Sequence, residues 1–256
     1  MKTEKGIHMK KILITGMSGL IGGAVREQLE GKYELRALNR RDVAGVDCRR
    51  ADISDFDAIC PAFEGVDTVV HLAAAIRSDF EGFVAHNIVG TYNVFEAALR
   101  AGVKRVIFAS SGSVTAGWEN DSPYGEIVSG RYDEVPESWD KFSHETPTRP
   151  RGIYGCTKVW GEALARHYAD STDLSVICLR IGAVNAEDRP NGTRGYSVWC
   201  SQSTIAGMVE SCIEVSDDLK FDIFYVVSNN KYSYRDMTHA RDVLGFEPEG
   251  DAEDYR

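Results

Sequence analysis

Tyr154 and Lys158 stand four residues apart in the stretch Tyr154-Gly155-Cys156-Thr157-Lys158. On a helix that spacing puts both side chains on one face, so a phenol and an ammonium point into one cleft. The chemistry this allows is proton transfer. A free phenol titrates near ~10 and is a poor base at neutral pH, whereas a neighbouring cation favours the phenolate. Such a pair also occurs as plain surface residues, so its weight comes from its surroundings. Upstream, an apolar run over 103–110 ends in Ser110-Ser111. A serine there lies on the carboxyl side of a parallel sheet, where ligands of α/β proteins bind, and Ser111 is placed to hydrogen-bond a reacting oxygen.

A second motif supplies the partner for that proton chemistry. Gly16-Met17-Ser18-Gly19-Leu20-Ile21-Gly22 directly follows the apolar run Lys11–Thr15 and opens a helical pattern over 20–29. Gly16 permits a tight turn, Gly19 a close approach of backbone to pyrophosphate, and Gly22 close packing of helix on sheet. The helix N-terminus offers free N–H groups and a positive dipole end. The segment therefore points to a dinucleotide held by Gly16, Ser18, Gly19, Leu20, Ile21 and Gly22. With an oxidised nicotinamide bound, the Tyr154 phenolate is favoured further, and Lys158 can hold the nicotinamide ribose.

The end of the second strand, expected over 33–38, reads the adenosine ribose. An Asp or Glu there accepts from both ribose hydroxyls and repels a 2′-phosphate. This chain has Asn39-Arg40-Arg41 instead. The cofactor is NAD or NADP, and the two arginines favour NADP, because guanidinium pairs well with phosphate. The alternative is that both arginines face solvent and NAD is used. Asp52 and Ile53 are expected to flank the adenine, and Leu72, Ala73 and Ala74 bring small side chains where the sheet nears the cofactor.

Around these motifs, apolar runs expected as strands (11–15, 33–38, 46–51, 68–73, 103–110, 174–181) alternate with helical patterns (20–29, 55–63, 83–101, 154–169). Nearly continuous Val/Ile/Leu strands between helices predict an α/β fold, a doubly wound parallel sheet with helices on both faces. Between 112 and 151 the regularity stops, and this long loop is expected to wall the substrate site. After 181 come a loop to 196, a helix over 200–215, a strand over 223–227 and a helix over 233–244. The domains expected are a tail or tag at 1–8, a nucleotide-binding domain over 9–181 and a small substrate lobe over 182–256.

The 256 residues carry a net charge of -10, which argues against a nucleic-acid surface, since phosphate binding needs clustered Lys and Arg. No apolar run approaches the roughly 18 residues that cross a bilayer, and no signal peptide precedes the first strand, so a cytoplasmic protein without membrane attachment is expected. The six cysteines form no CxxC pair and are expected to be free thiols, with no metal site.

Taken together, GMSGLIG, HLAAA, Asn87 in a helix, FASS and YGCTK resemble the extended short-chain dehydrogenases, the NAD-dependent epimerase/dehydratase family. The resemblance covers nearly the whole chain and implies a Rossmann-type domain. It implies Tyr154 as base or acid, Lys158 as modifier of its pKa, Ser111 as donor to the substrate oxygen, and Asn87 as a cofactor-side residue that mainly supports the site. It also implies a homodimer through the helices over 83–101 and 154–169. The stretch Leu179-Arg180-Ile181-Gly182, the segment Arg194-Gly195-Tyr196-Ser197-Val198-Trp199 and the ending Ala240-Arg241-Asp242-Val243-Leu244-Gly245-Phe246 are similar to the uronate and NAD-dependent glucose-6-phosphate dehydrogenase branch. There Arg194 would bind the substrate's anionic group, beside Ser111, Gly112, Ser113 and Tyr154. The chain departs from uronate dehydrogenases at Gly112-Ser113, where they have Asn-His, at Ala183 and Asn39, and in the 112–151 segment. The expected reaction is oxidation of the C1 hydroxyl of a sugar, uronate or sugar phosphate to a lactone. The alternatives are a sugar 4-epimerase or ketoreductase, and a non-catalytic dinucleotide sensor.

Overall fold

The computed structural model describes residues 9–256; the expected tail or tag at 1–8 lies outside the described residues. Among the described residues seven strands form one sheet: β1 (Lys11–Thr15), β2 (Glu34–Asn39), β3 (Asp47–Arg50), β4 (Thr68–His71), β5 (Arg105–Ser111), β6 (Ser175–Ile181) and β7 (Phe221–Val226). Their order is β3-β2-β1-β4-β5-β6-β7, and every pairing is parallel. The helices are α1 (Leu20–Leu29), α2 (Phe56–Ile59), α3 (Phe80–Phe83), α4 (Gly90–Arg100), α5 (Tyr124–Ser129), α6 (Gly152–Ser171), α7 (Gly192–Val198), α8 (Gln202–Glu214) and α9 (Thr238–Leu244).

Successive strand side chains point to opposite faces, so the apolar strands feed two cores. Ile12, Ile14 and Ile107 pack with Val25 and Leu29 of α1 and Ile205 and Met208 of α8. Leu13, Val106 and Phe108 pack on the other face with Val94 and Phe95 of α4 and Ala165 of α6. The strand order reverses at the β1–β4 pair, which opens a crevice at their carboxyl ends.

Several elements differ from the sequence expectation. The helix expected over 83–101 begins at Phe80, where the Asp79 carboxylate caps the Gly82 amide, and it widens into a π-helical turn over Val84–Val89 before α4. The 112–151 segment is not wholly irregular, since it carries 3-10 turns at Gly112–Val114 and Ala116–Asn120 and the short α5. The expected loop to 196 contains α7. Of the helix expected over 233–244 only α9 forms. Residues 234–236 run instead beside Phe142, whose amide donates to Tyr234 O (2.7 Å) and whose carbonyl accepts from the Asp236 amide (2.9 Å). That bridge uses the backbone groups a helix would need. Beyond 181 the chain continues the same sheet through β7, and α8 covers its face next to α1.

Candidate active site

The crevice is a cleft of about 940 Å³ running along the carboxyl ends of the strands. At one end lies the glycine turn. Gly16 has φ +75°, a left-handed conformation that favours glycine, and a Cβ there would stand 3.0 Å from the Ala73 backbone. At Gly22 a Cβ would meet Gly16 O at 2.4 Å, so α1 could not sit on the turn. β1 and β4 meet here through His71, whose ring nitrogens pair with the buried hydroxyls of Thr15 (2.8 Å) and Thr91 (3.3 Å). Thr15 Oγ1 also accepts from the Ala73 amide. Burial pushes the His71 pKa down to about 3, with the Lys158 charge adding to the effect, so the ring is neutral at ordinary pH.

Gly16, Ser18, Gly19, Leu20, Ile21 and Gly22 line this end, as do Asn39, Arg40, Asp52, Ile53, Leu72, Ala73 and Ala74. Asn39 donates through Nδ2 to Ser18 Oγ (2.6 Å), while its buried Oδ1 has no partner among the described residues. An orphaned acceptor beside a glycine turn fits a ribose hydroxyl. Arg40 and the neighbouring Arg41 are exposed at the rim. Burial pushes Asp52 up, but the Ser54 amide and hydroxyl and His86 hold it below the usual carboxylate range. The cradle fits a dinucleotide.

Asn87 is the exception among the expected cofactor contacts. It does not line the cleft. From the π-helical turn its side chain donates to Ala75 O (2.9 Å) and Thr157 Oγ1 (3.1 Å) and accepts from the Ala75 amide (2.8 Å). It is a positioning residue that ties the end of β4 to α6, just before Lys158.

Ser111, Gly112, Ser113, Tyr154, Lys158 and Arg194 meet at the other end. Ser111 ends β5, and its Oγ lies 3.1 Å from Ser113 Oγ. Helix α6 starts at Gly152 and presents Tyr154 and Lys158 one turn apart. Burial pushes the Tyr154 phenol above its ordinary pKa, and the Ser111 hydroxyl draws it back. Lys158, from which a depression of that phenol is expected, donates through Nζ to Ala109 O (2.7 Å) and stands 5.7 Å from the tyrosine ring centre. Burial also lowers Lys158 itself to about 8, against the favourable charge of nearby Glu162. One turn further along α6, Glu162 forms a buried ion pair with Arg180 (2.9 Å) and accepts from Ser110 (2.6 Å), which fixes the floor beneath the lysine.

Arg194, the expected anion ligand, also lines the cleft. Its fork is already engaged by Glu119, with Nε on Oε2 at 2.8 Å and Nη2 on Oε1 at 2.6 Å. Glu119 is buried, and it accepts as well from Tyr234 Oη (2.6 Å) and Arg151 Nη1 (3.2 Å). Burial raises its pKa, but Arg194, Tyr234 and Arg235 together hold it below the usual range. Glu119 and the cleft-lining Arg235 are not legible in the sequence, because a lone carboxylate in an irregular segment and an arginine in an expected helix carry no local signal. The six cysteines are free thiols, and no group of three or more potential metal-ligating side chains occurs among the described residues. Nor is any described helix long and apolar enough to cross a membrane.

A doubly wound sheet, a dinucleotide cradle and a Ser–Tyr–Lys group along one cleft define an oxidoreductase class. Residues 12–245 match the NAD dependent epimerase/dehydratase family. The chain is 30% identical over 256 residues to the NAD-dependent glucose-6-phosphate dehydrogenase of Haloferax volcanii, covering 95% of each chain. It is 32% identical over 251 residues to the L-arabinose 1-dehydrogenase (NAD(P)(+)) of the same organism, covering 94% of this chain and 96% of that one. The crystal structure of uronate dehydrogenase from Agrobacterium tumefaciens superposes with a TM-score of 0.81 at 30% identity, covering 97% of this chain and 87% of the other. The chain belongs to the NAD dependent epimerase/dehydratase family and is an NAD-dependent enzyme.

Proposed function

We propose that this protein oxidises the C1 hydroxyl of a sugar to the lactone. The observation that carries the reading is the meeting of Ser111, Tyr154 and Lys158 at one end of a cleft whose other end is the glycine cradle. Ser111 donates to the substrate oxygen, Tyr154 removes the hydroxyl proton, and C1 loses its hydride as the C1–O bond becomes a carbonyl. The bound nicotinamide supplies the hydride acceptor. Lys158 would hold the nicotinamide ribose, and its ammonium stands 5.7 Å from the ring centre of Tyr154. Residues of the 112–151 segment and of 182–256 shape the substrate end, which is why the relatives' different sugars are compatible with one catalytic group.

Arg40 and Arg41 support acceptance of NADP beside NAD, since no carboxylate stands at position 39 to repel a 2′-phosphate. The affinity ratio of NADP to NAD, measured before and after Arg40→Ala, tests that reading. Exposed Val89 and Tyr92 on the turn leading into α4 and on α4 itself support a homodimer through that helix and α6. The working location is the cytoplasm, in keeping with free thiols and a soluble cofactor. Incubation with NAD or NADP and a panel of aldoses, uronates and sugar phosphates is expected to give reduced cofactor. Epimers redistributing without net reduction would establish the 4-epimerase reading instead.

A further inference from the structure

We propose that Arg235, rather than Arg194, recognises an anionic group on the substrate, so that the enzyme selects anionic over neutral sugars. This rests on the sugar-oxidation reading above. Arg235 is 3% exposed, yet its Nε and Nη1 have no hydrogen-bond partner among the described residues. The guanidinium stacks over the Tyr234 ring at 5.7 Å, but a buried cation with two unpaired nitrogens is costly, and such a group is expected to be matched by a ligand. Its side chain lines the substrate end of the cleft together with Ser111, Tyr154 and Arg194.

The nearby carboxylate has no capacity left for it. Glu119 offers about four lone-pair sites, and four donors already take them: two from Arg194, one from Tyr234 and one from Arg151. One carboxylate therefore faces three guanidinium groups, leaving local positive charge on a chain whose net charge is -10. Space is arranged for the same purpose. A Cβ at Gly112 would lie 2.1 Å from Arg235 Nη2 and 2.3 Å from its guanidinium carbon, so the absence of a side chain next to Ser111 lets the cation reach the catalytic end. The Phe142 bridge holds residues 234–236 in place and fixes where the guanidinium stands. A carboxylate and a phosphate are both accepted by a guanidinium fork, so the shared chemistry is an oxyanion remote from C1.

The test compares kcat/KM of the purified enzyme for D-glucuronate, glucose 6-phosphate, D-glucose and L-arabinose with a saturating nicotinamide cofactor. At least one of the two anionic sugars is expected to exceed both neutral ones by about 10-fold or more, as a charged hydrogen bond allows, and which one does so separates carboxylate from phosphate. R235Q is expected to reduce that preference by about the same factor, mainly through KM, and R235K to retain part of it. A wild-type enzyme that turns over L-arabinose as well as either anion overturns the inference, as does an unchanged preference in whichever variant folds. Failure of all four sugars to reduce NAD or NADP would instead count against the parent reading.

Discussion

Arg194 and Glu119, 75 residues apart in the chain, meet in two parallel hydrogen bonds of 2.8 and 2.6 Å in the wall of the substrate end. The carboxylate is 1% exposed and the guanidinium 38%, so the pair is buried on its acidic side. Removing one partner of such a pair leaves a charge without compensation. Glu119→Ala is therefore expected to destabilise the protein by about 3 kcal/mol or more. Arg151→Ala, which removes a 64% exposed partner of the same carboxylate, should cost no more than ~1 kcal/mol. Equal shifts of the denaturant midpoint for the two variants would contradict this account of the wall.

Tyr154→Phe keeps the ring and its packing against Phe83, at 6.4 Å between ring centres, and removes only the proton acceptor. Turnover is expected to fall by roughly 10²–10⁴-fold, with cofactor affinity and melting temperature close to those of the wild type. Steady-state rates combined with cofactor-binding fluorescence check both halves. A variant that turns over normally would remove the phenol from the mechanism.

Gly22→Ala tests the cradle. The added methyl would lie 2.4 Å from Gly16 O and 2.6 Å from Met17 Cα, both backbone atoms with nowhere to go. α1 must shift, costing about 1–3 kcal/mol as overpacking does, and dinucleotide affinity should drop at the same time. Gly23→Ala is the control, because nothing lies within 4 Å of its Cβ position. It should bind cofactor normally.

His71 makes the fold acid-sensitive in a defined window. Its folded-state pKa is about 3, below the 6.5 of a free imidazole, so between those values the unfolded chain holds a proton that the native ring refuses. Stability from this group is complete above about pH 6.5 and is lost as the pH falls toward 3, at up to about 1.4 kcal/mol per unit. Denaturant titrations between about pH 6 and 4 should show a shallower dependence for His71→Gln than for the wild type. Parallel slopes would mean that other groups carry the acid response.

The chemistry of this protein is local in the sequence and therefore legible there. A glycine turn between a strand and a helix, a phenol and an amine one helical turn apart, and a serine at a strand end each depend on near neighbours, and the structure brings them to one cleft. The groups around that site are not local. Asn87, expected at the cofactor, stands behind the wall, because a π-helical turn carries its side chain toward Ala75 and Thr157. Arg235 sat in an expected helix until pairing with Phe142, 93 positions earlier, drew its backbone straight.

The sequence by itself determined the parallel sheet, the cradle and the Ser111, Tyr154 and Lys158 group, since periodicity and short spacings encode them directly. Only the tertiary structure decided which arginine is free. Arg194 is engaged by Glu119, and Arg235 is left with two nitrogens that have no hydrogen-bond partner among the described residues, because charge pairing depends on which segments the β5, β6 and β7 ends bring together. That juxtaposition is set by sheet register and loop packing over some 75 to 125 residues, a range at which residue spacing carries no information about contact.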